Sequence, residues 1–204
     1  MDADGGDGEG FFIKLENLYR LQSFTDEIVT TATRAKAKFL VSEELVKSLH
    51  RVAMTRLLPS AGSYRESDVV IRGSQHVPPN FMEVTPFMHG FCAYLNANWE
   101  RRDMVHLSAF SMWRLNWVHP FLNGNGRTTR ALSYLILCMK HGKLLPAKNS
   151  VATQIVANKP AYNRALAYAD QVYAASQDID ACLIEMERFI THLLKEQLKA
   201  NFRT

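Results

Sequence analysis

The chain has 204 residues, enough for one domain with a substantial core and short for two. It is 47% hydrophobic and 22% charged, which places it among ordinary globular proteins and excludes collagen-like and low-complexity classes. The formal net charge is +4, and no apolar run is long enough to span a bilayer.

Residues 1–10, MDADGGDGEG, hold four acids and no base, leaving 24 basic against 16 acidic residues in the remainder. This opening reads as a disordered tail, with residues 11–204 as a single domain whose core covers about 45–200. A basic remainder suits a phosphate-bearing ligand or an acidic partner surface. No signal peptide is visible, because the start is acidic and Gly-rich. Cys92, Cys138 and Cys182 are far apart within apolar helical patterns and form no CxxC pair. They read as buried hydrophobes in a reducing compartment, with the cytoplasm as the expected location.

Helical periodicity dominates. A short amphipathic helix is predicted from Phe11 to about Gln22, and another from Ser42, a cap followed by two acids, to about Leu58 before Pro59. Residues 61–81 break the pattern with Gly62, Gly73, Pro78 and Pro79, and Val69-Val70-Ile71 precedes Arg72-Gly73-Ser74. A small β-hairpin or flap is expected there. Helices resume over 84–99 and 104–118; the second is apolar nearly all round and is expected to be central. Another apolar helix is predicted from Thr128 to His141, with Gly142 as its stop. In the tail, Ile179, Cys182, Met186, Phe189, Ile190, Leu193 and Leu198 share one helical face, which reads as core. The expected class is mainly α with one small hairpin.

Residues 119–130, HPFLNGNGRTTR, carry the chemistry. Pro120 disfavours helical geometry at His119 and has no N–H, so the central helix should end there with the imidazole facing the following loop. Asn123-Gly124-Asn125-Gly126 readily reaches positive φ, letting consecutive N–H groups converge at the start of the next helix, where the dipole favours an anion. Arg127 and Arg130 lie in that first turn, and each guanidinium can fork onto phosphate oxygens. Taken singly, a His before Pro is more often a structural helix end, GNG is usually a turn, and first-turn arginines are usually solvated. Eight specified residues within twelve arise by chance in roughly 10⁻⁸ of chains of this length at about 5% usage per residue type. No P-loop, HExxH or GxSxG competes with this pattern.

The window resembles the Fic signature, H-P-F-x-[D/E]-G-N-G-R-x-x-R, matched by His119, Pro120, Phe121, Gly124, Asn125, Gly126, Arg127 and Arg130. Gly62, Tyr64, Arg65, Val69, Gly73, His76, Pro78 and Pro79 are similar to the flap that precedes it in that family, and Tyr162–Ala169 followed by Asp178-Ile179 resembles its closing helices more loosely. The resemblance implies a Fic-type helical bundle that transfers a nucleotide monophosphate, most often AMP from ATP, to a Ser, Thr or Tyr hydroxyl of a target protein. His119 would be the general base, as its near-neutral pKa suits. The backbone of Gly124 to Gly126, with Asn125 assisting, would hold the α- and β-phosphates, and Arg127 and Arg130 the β- and γ-phosphates. Phe121 would anchor the loop in the core. Tyr162 and Asn163 would line the nucleotide base. The flap residues Ile71, Arg72, Gly73, Ser74, Gln75 and His76 would clamp an extended target strand.

Two departures leave alternatives open. Asn123 stands where the family has an acid that ligates Mg²⁺ bridging the phosphates, and a neutral amide oxygen is a weaker ligand for a hard cation. Full adenylyl transfer, nucleotide binding with weak or altered activity, transfer of UMP or phosphocholine, and removal of AMP all remain compatible. The family's inhibitory [S/T]-x-x-x-E-[G/N] pattern also fails: Glu16-Asn17 is present, but Phe12 occupies its first position. Inhibition by a separate partner is one expectation. DNA binding is disfavoured, since there is no clear helix-turn-helix and the basic residues are not gathered on one helix; no membrane partner is expected, and oligomeric state is open.

Overall fold

A computed structural model describes residues 8–200. Among the described residues, eight α-helices run in the order α1 (Gly8–Ala35), α2 (Glu43–Met54), α3 (Val84–Asn98), α4 (Met104–Val118), α5 (Asn125–His141), α6 (Val151–Ala157), α7 (Lys159–Ser176) and α8 (Ile179–Lys199). A one-turn 3₁₀ segment, Phe81–Glu83, leads into α3. Local chemistry marks half of the starts: Ser42, Asp103, Ser150 and Asp178 each accept a hydrogen bond from a backbone N–H in the first turn of α2, α4, α6 and α8. Gly142, at φ 81°, stops α5 in the left-handed region.

The two helices flanking the signature form the centre. Leu107, Met112, Trp113, Leu115 and Val118 of α4, with Leu132, Leu135, Ile136 and Leu137 of α5, are all fully buried. Helix α4 packs on α3, α5, α7 and α8, while α5 also meets α1, α2 and α6. That enclosure explains why neither sequence shows a wide polar face. On α8, Cys182, Met186, Ile190 and Leu193 are buried and Ile179, Phe189 and Leu198 pack against them, so the tail stripe is core. The three cysteines are buried and unpaired, and burial pushes the Cys92 and Cys182 thiols up to about 12.

Several expectations need correction. The hairpin is absent: among the described residues there is no strand, and residues 61–80 run as turns and coil. One turn closes from the Ser74 N–H to the Ile71 carbonyl, with Gly73 at φ 71°. A ladder cannot follow because Pro78 and Pro79 bring no N–H to the returning arm. Helix α1 continues to Ala35 rather than Gln22, because Leu21, Phe24, Thr25, Ile28 and Val29 extend its packed face. Helix α2 ends at Met54, where the Leu57 and Leu58 N–H groups turn back onto its carbonyl. The expected tail falls mostly on residues 1–7, outside the described residues, while 8–10 already belong to α1.

Candidate phosphate-binding active site

The site is the junction of α4, the 119–124 loop and the start of α5. Helix α4 ends at His119, whose N–H reaches Leu115 O and whose backbone is left-handed (φ 48°, ψ 58°). Pro120 follows with no N–H to continue the helix. The His119 Nδ1 lies 3.4 Å from Asn116 O. A carbonyl only accepts, so Nδ1 carries the proton and Nε2 keeps its lone pair. Burial, with help from Arg65 and His76, pulls the imidazole down to about 4. It is therefore neutral at pH 7.

The loop is closed from within. Phe121 is fully buried, as a core anchor should be. The Asn125 side chain accepts from Phe121 N–H at 3.0 Å and donates to Phe121 O at 2.8 Å. That commits its amide oxygen and one of its two amide hydrogens to loop closure, leaving the second Nδ2 hydrogen and the main-chain N–H to offer. Gly124 caps α5 at φ 78°, and a Cβ there would stand 2.5 Å from the Met54 Sδ. Glycine is required on both counts. Helix α5 has no side-chain cap, leaving its first N–H groups open to an anion.

Arg127 and Arg130 supply the charge. Both are half-buried, and burial lowers the pKa of each; Arg130 repels Arg127 further. Among the described residues neither forms an ion pair, and Arg127 Nη1 rests 3.3 Å from Ala53 O. Two neighbouring cations left without a carboxylate are unstable until an anion arrives.

Tyr162 and Asn163 separate. Tyr162 is buried beside Arg130, and its hydroxyl accepts from Asn116 Nδ2 at 2.7 Å, whereas Asn163 is exposed. In the flap, Arg72, Gly73, Ser74 and Gln75 are exposed, and Ile71 is half-buried. The His76 side chain is turned inward: its Nε2–H donates to Trp117 O at 2.8 Å, and Nδ1 lies 3.7 Å from Asp170.

A Mg²⁺ ligand role for Asn123 fits poorly. Its Oδ1 turns back to accept the Gly124 N–H at 2.6 Å. Among the described residues no cluster of three His, Cys, Asp or Glu side chains could hold a cation. A divalent ion here would be carried by nucleotide phosphates rather than by the chain.

Three contributors had no role in the site assigned from sequence. His50 accepts Gly62 N–H on Nδ1 at 2.8 Å and so donates from Nε2 to Asn123 O at 2.9 Å, bracing the loop from α2. The available signal was a polar residue within the buried stripe Val46, Leu49, His50, Ala53, Met54. Asn17 of α1 donates to Ala53 O and Thr55 O, sharing the first carbonyl with Arg127. Its neighbour Glu16 pairs instead with Arg20 and Arg56. The third is Arg65, buried between the flap and the end of α4.

One buried helix thus ends on an imidazole, and the next opens on uncapped N–H groups beside two arginines. Residues 40–137 match the Fic/DOC family model. A relative from Nematostella vectensis, "Protein adenylyltransferase Fic", is 32% identical over 104 residues, covering 50% of this chain and 24% of its own length. The protein of that name from Drosophila willistoni is 32% identical over 94 residues, covering 45% of this chain and 18% of itself. The chain thus spans about a quarter or less of these relatives. A solved Fic domain containing signaling protein from Bacteroides thetaiotaomicron superposes with TM-score 0.70 at 17% identity, over 90% of this chain and 69% of that one. Fic-1 from C. elegans (residues 134–508) gives 0.65 at 18% identity, over 99% and 55%. These likenesses establish the fold.

Proposed function

We propose that the chain is a protein adenylyltransferase, moving AMP from ATP to a hydroxyl side chain of a target protein. The observation that carries this reading is the pair Arg127 and Arg130, half-buried without counter-ions at the uncapped start of α5, one loop away from a neutral imidazole. The names of the relatives support the choice of AMP.

In this reading the triphosphate lies against the first N–H groups of α5, with the arginines on the β- and γ-phosphates. The target hydroxyl oxygen attacks the α-phosphorus while its proton passes to His119 Nε2. The bond from the α-phosphorus to the bridging oxygen breaks, and pyrophosphate leaves. An imidazole pulled down to about 4 is always free to accept but is a weak base. The negative triphosphate beside it raises its basicity when the reaction needs it. A divalent cation, if it accompanies the nucleotide, would neutralise phosphate charge and would draw its ligands from the phosphates rather than from Asn123.

The exposed flap, with Val70 and Val77 largely solvated and its backbone unladdered, offers main-chain groups to an extended target segment. Helices outside the matched segment pack onto it, which supports reading 11–204 as one domain. Among the described residues no helix is long and apolar enough to cross a membrane. Control by a separate inhibitory partner stays part of the proposal, because Glu16 is paired away from the signature arginines.

Labelled ATP, Mg²⁺ and a cell lysate should give labelled protein bands that vanish with His119→Ala. Equal labelling by both sinks the reading. The mass added to the target separates AMP from UMP and phosphocholine. Asn123 favours a second reading, a nucleotide-binding Fic domain with weak turnover, which predicts ATP binding without labelled bands.

A further inference from the structure

We propose that Arg65 is a positioning residue for His119, fixing the backbone from which the imidazole projects. The inference rests on the adenylyl-transfer reading, in which His119 takes the proton.

His119 holds a left-handed conformation that costs a residue with a Cβ some backbone energy, so contacts that fix the neighbouring carbonyls help to hold it. Arg65 supplies such contacts. Its Nε–H donates to His119 O at 2.9 Å, Nη2 lies 3.5 Å from Val118 O, and its own backbone N–H donates to Pro120 O at 2.8 Å. Three successive carbonyls at the end of α4 are thereby claimed by one residue. The cation also meets the negative end of the α4 dipole. The rest of the fork faces the flap: Nη1 donates to Ser67 O and Nη2 to Pro79 O, one at each end of the loop. Asp68, 3.5 Å from the guanidinium, accepts Phe81 N–H and Asn80 Nδ2 and ties the flap base together. The Arg65 side chain is fully buried. A fork reaching four carbonyls cannot be copied by an ammonium.

The charged and titratable groups felt by His119 are Arg65 and His76, both of which favour its neutral form. Position and charge can therefore be separated. Arg65→Gln removes both the fork and the charge; Arg65→Lys keeps the charge and loses the fork. Three measurements on each decide: the His119 titration by NMR, assigned among the seven histidines by a His119→Asn spectrum; ATP affinity; and kcat for transfer.

Both variants are expected to lose about ten- to hundredfold in kcat with ATP affinity held within about twofold, because the cradle on α5 is untouched. In Arg65→Gln the His119 pKa should climb, and in Arg65→Lys it should stay low. Full rate in Arg65→Lys, or a loss of ATP affinity parallel to the loss of rate, overturns the proposal. Should neither variant fold, the wild-type Arg65 Nε–H signal decides: protection from exchange at neutral pH supports the clamp, and rapid exchange overturns it. If the wild type transfers nothing, the two NMR readings still test the clamp, and the failure belongs to the proposed reaction alone.

Discussion

The His50 ring lies parallel to the Phe121 ring, with centroids 3.7 Å apart and planes 3° apart. One imidazole from α2 thus backs the loop through a stacked face while both its nitrogens are spent on backbone groups of Gly62 and Asn123. Replacing it should matter twice over. His50→Ala is expected to cost about 2–4 kcal/mol in urea unfolding, from the cavity and the two orphaned backbone groups. Nucleotide affinity should fall as well, although no atom of His50 belongs to the cradle. A variant with full stability and unchanged ATP affinity would show that the loop needs no brace.

Acid should weaken the fold through its histidines. His50 and His119 are both pulled down to about 4 by burial, below the usual value of 6.5. The unfolded chain therefore binds more protons in this range, so the stability these groups contribute is complete above pH 6.5 and is lost as pH falls toward 4. Urea midpoints from pH 7.5 to 4 should show the decline. With His50→Gln the gap from wild type should narrow as pH drops; a constant gap contradicts the assignment.

Arg130 sits close to Arg127 without a carboxylate, so it should be a burden until nucleotide binds. Arg130→Gln is expected to leave the free protein as stable or slightly more so, while weakening ATP binding by about 1.5–3 kcal/mol, roughly ten- to hundredfold. Calorimetric titration with thermal unfolding of the same sample reads both signs. Unaltered affinity would place the triphosphate elsewhere.

At position 123 the question is metal. The Asn123 Oδ1 faces the Gly124 N–H, and a carboxylate can keep that contact while presenting a charged second oxygen. Asn123→Asp should steepen the Mg²⁺ dependence of transfer and raise the rate at low Mg²⁺. A rate and Mg²⁺ profile matching the wild type would show that this side chain lies apart from the ion.

Much of the site was legible because it is local. Between His119 and Arg130, a proline, a required left-handed glycine and a new helix start leave the chain little choice, so residue spacing translates almost directly into geometry. The flap was misread for the opposite reason. Val69-Val70-Ile71 has strand character, but a strand needs a partner with donors, and Val77-Pro78-Pro79 brings too few. The length of α1 also escaped local reading, since its second half is held by packing on α2 and α5 more than by its Thr-rich sequence.

By itself the sequence determined a mainly helical chain with an imidazole, a glycine bend and two arginines brought together at a helix start, because backbone restrictions and helix caps act within a few residues. Only the tertiary structure decided that Asn125 closes the loop, that His50 braces it, and that Arg65 binds the flap to the end of α4. Those contacts join residues dozens of positions apart, or choose between several partners within reach, and both outcomes depend on how buried polar groups find their hydrogen bonds once the helices have packed.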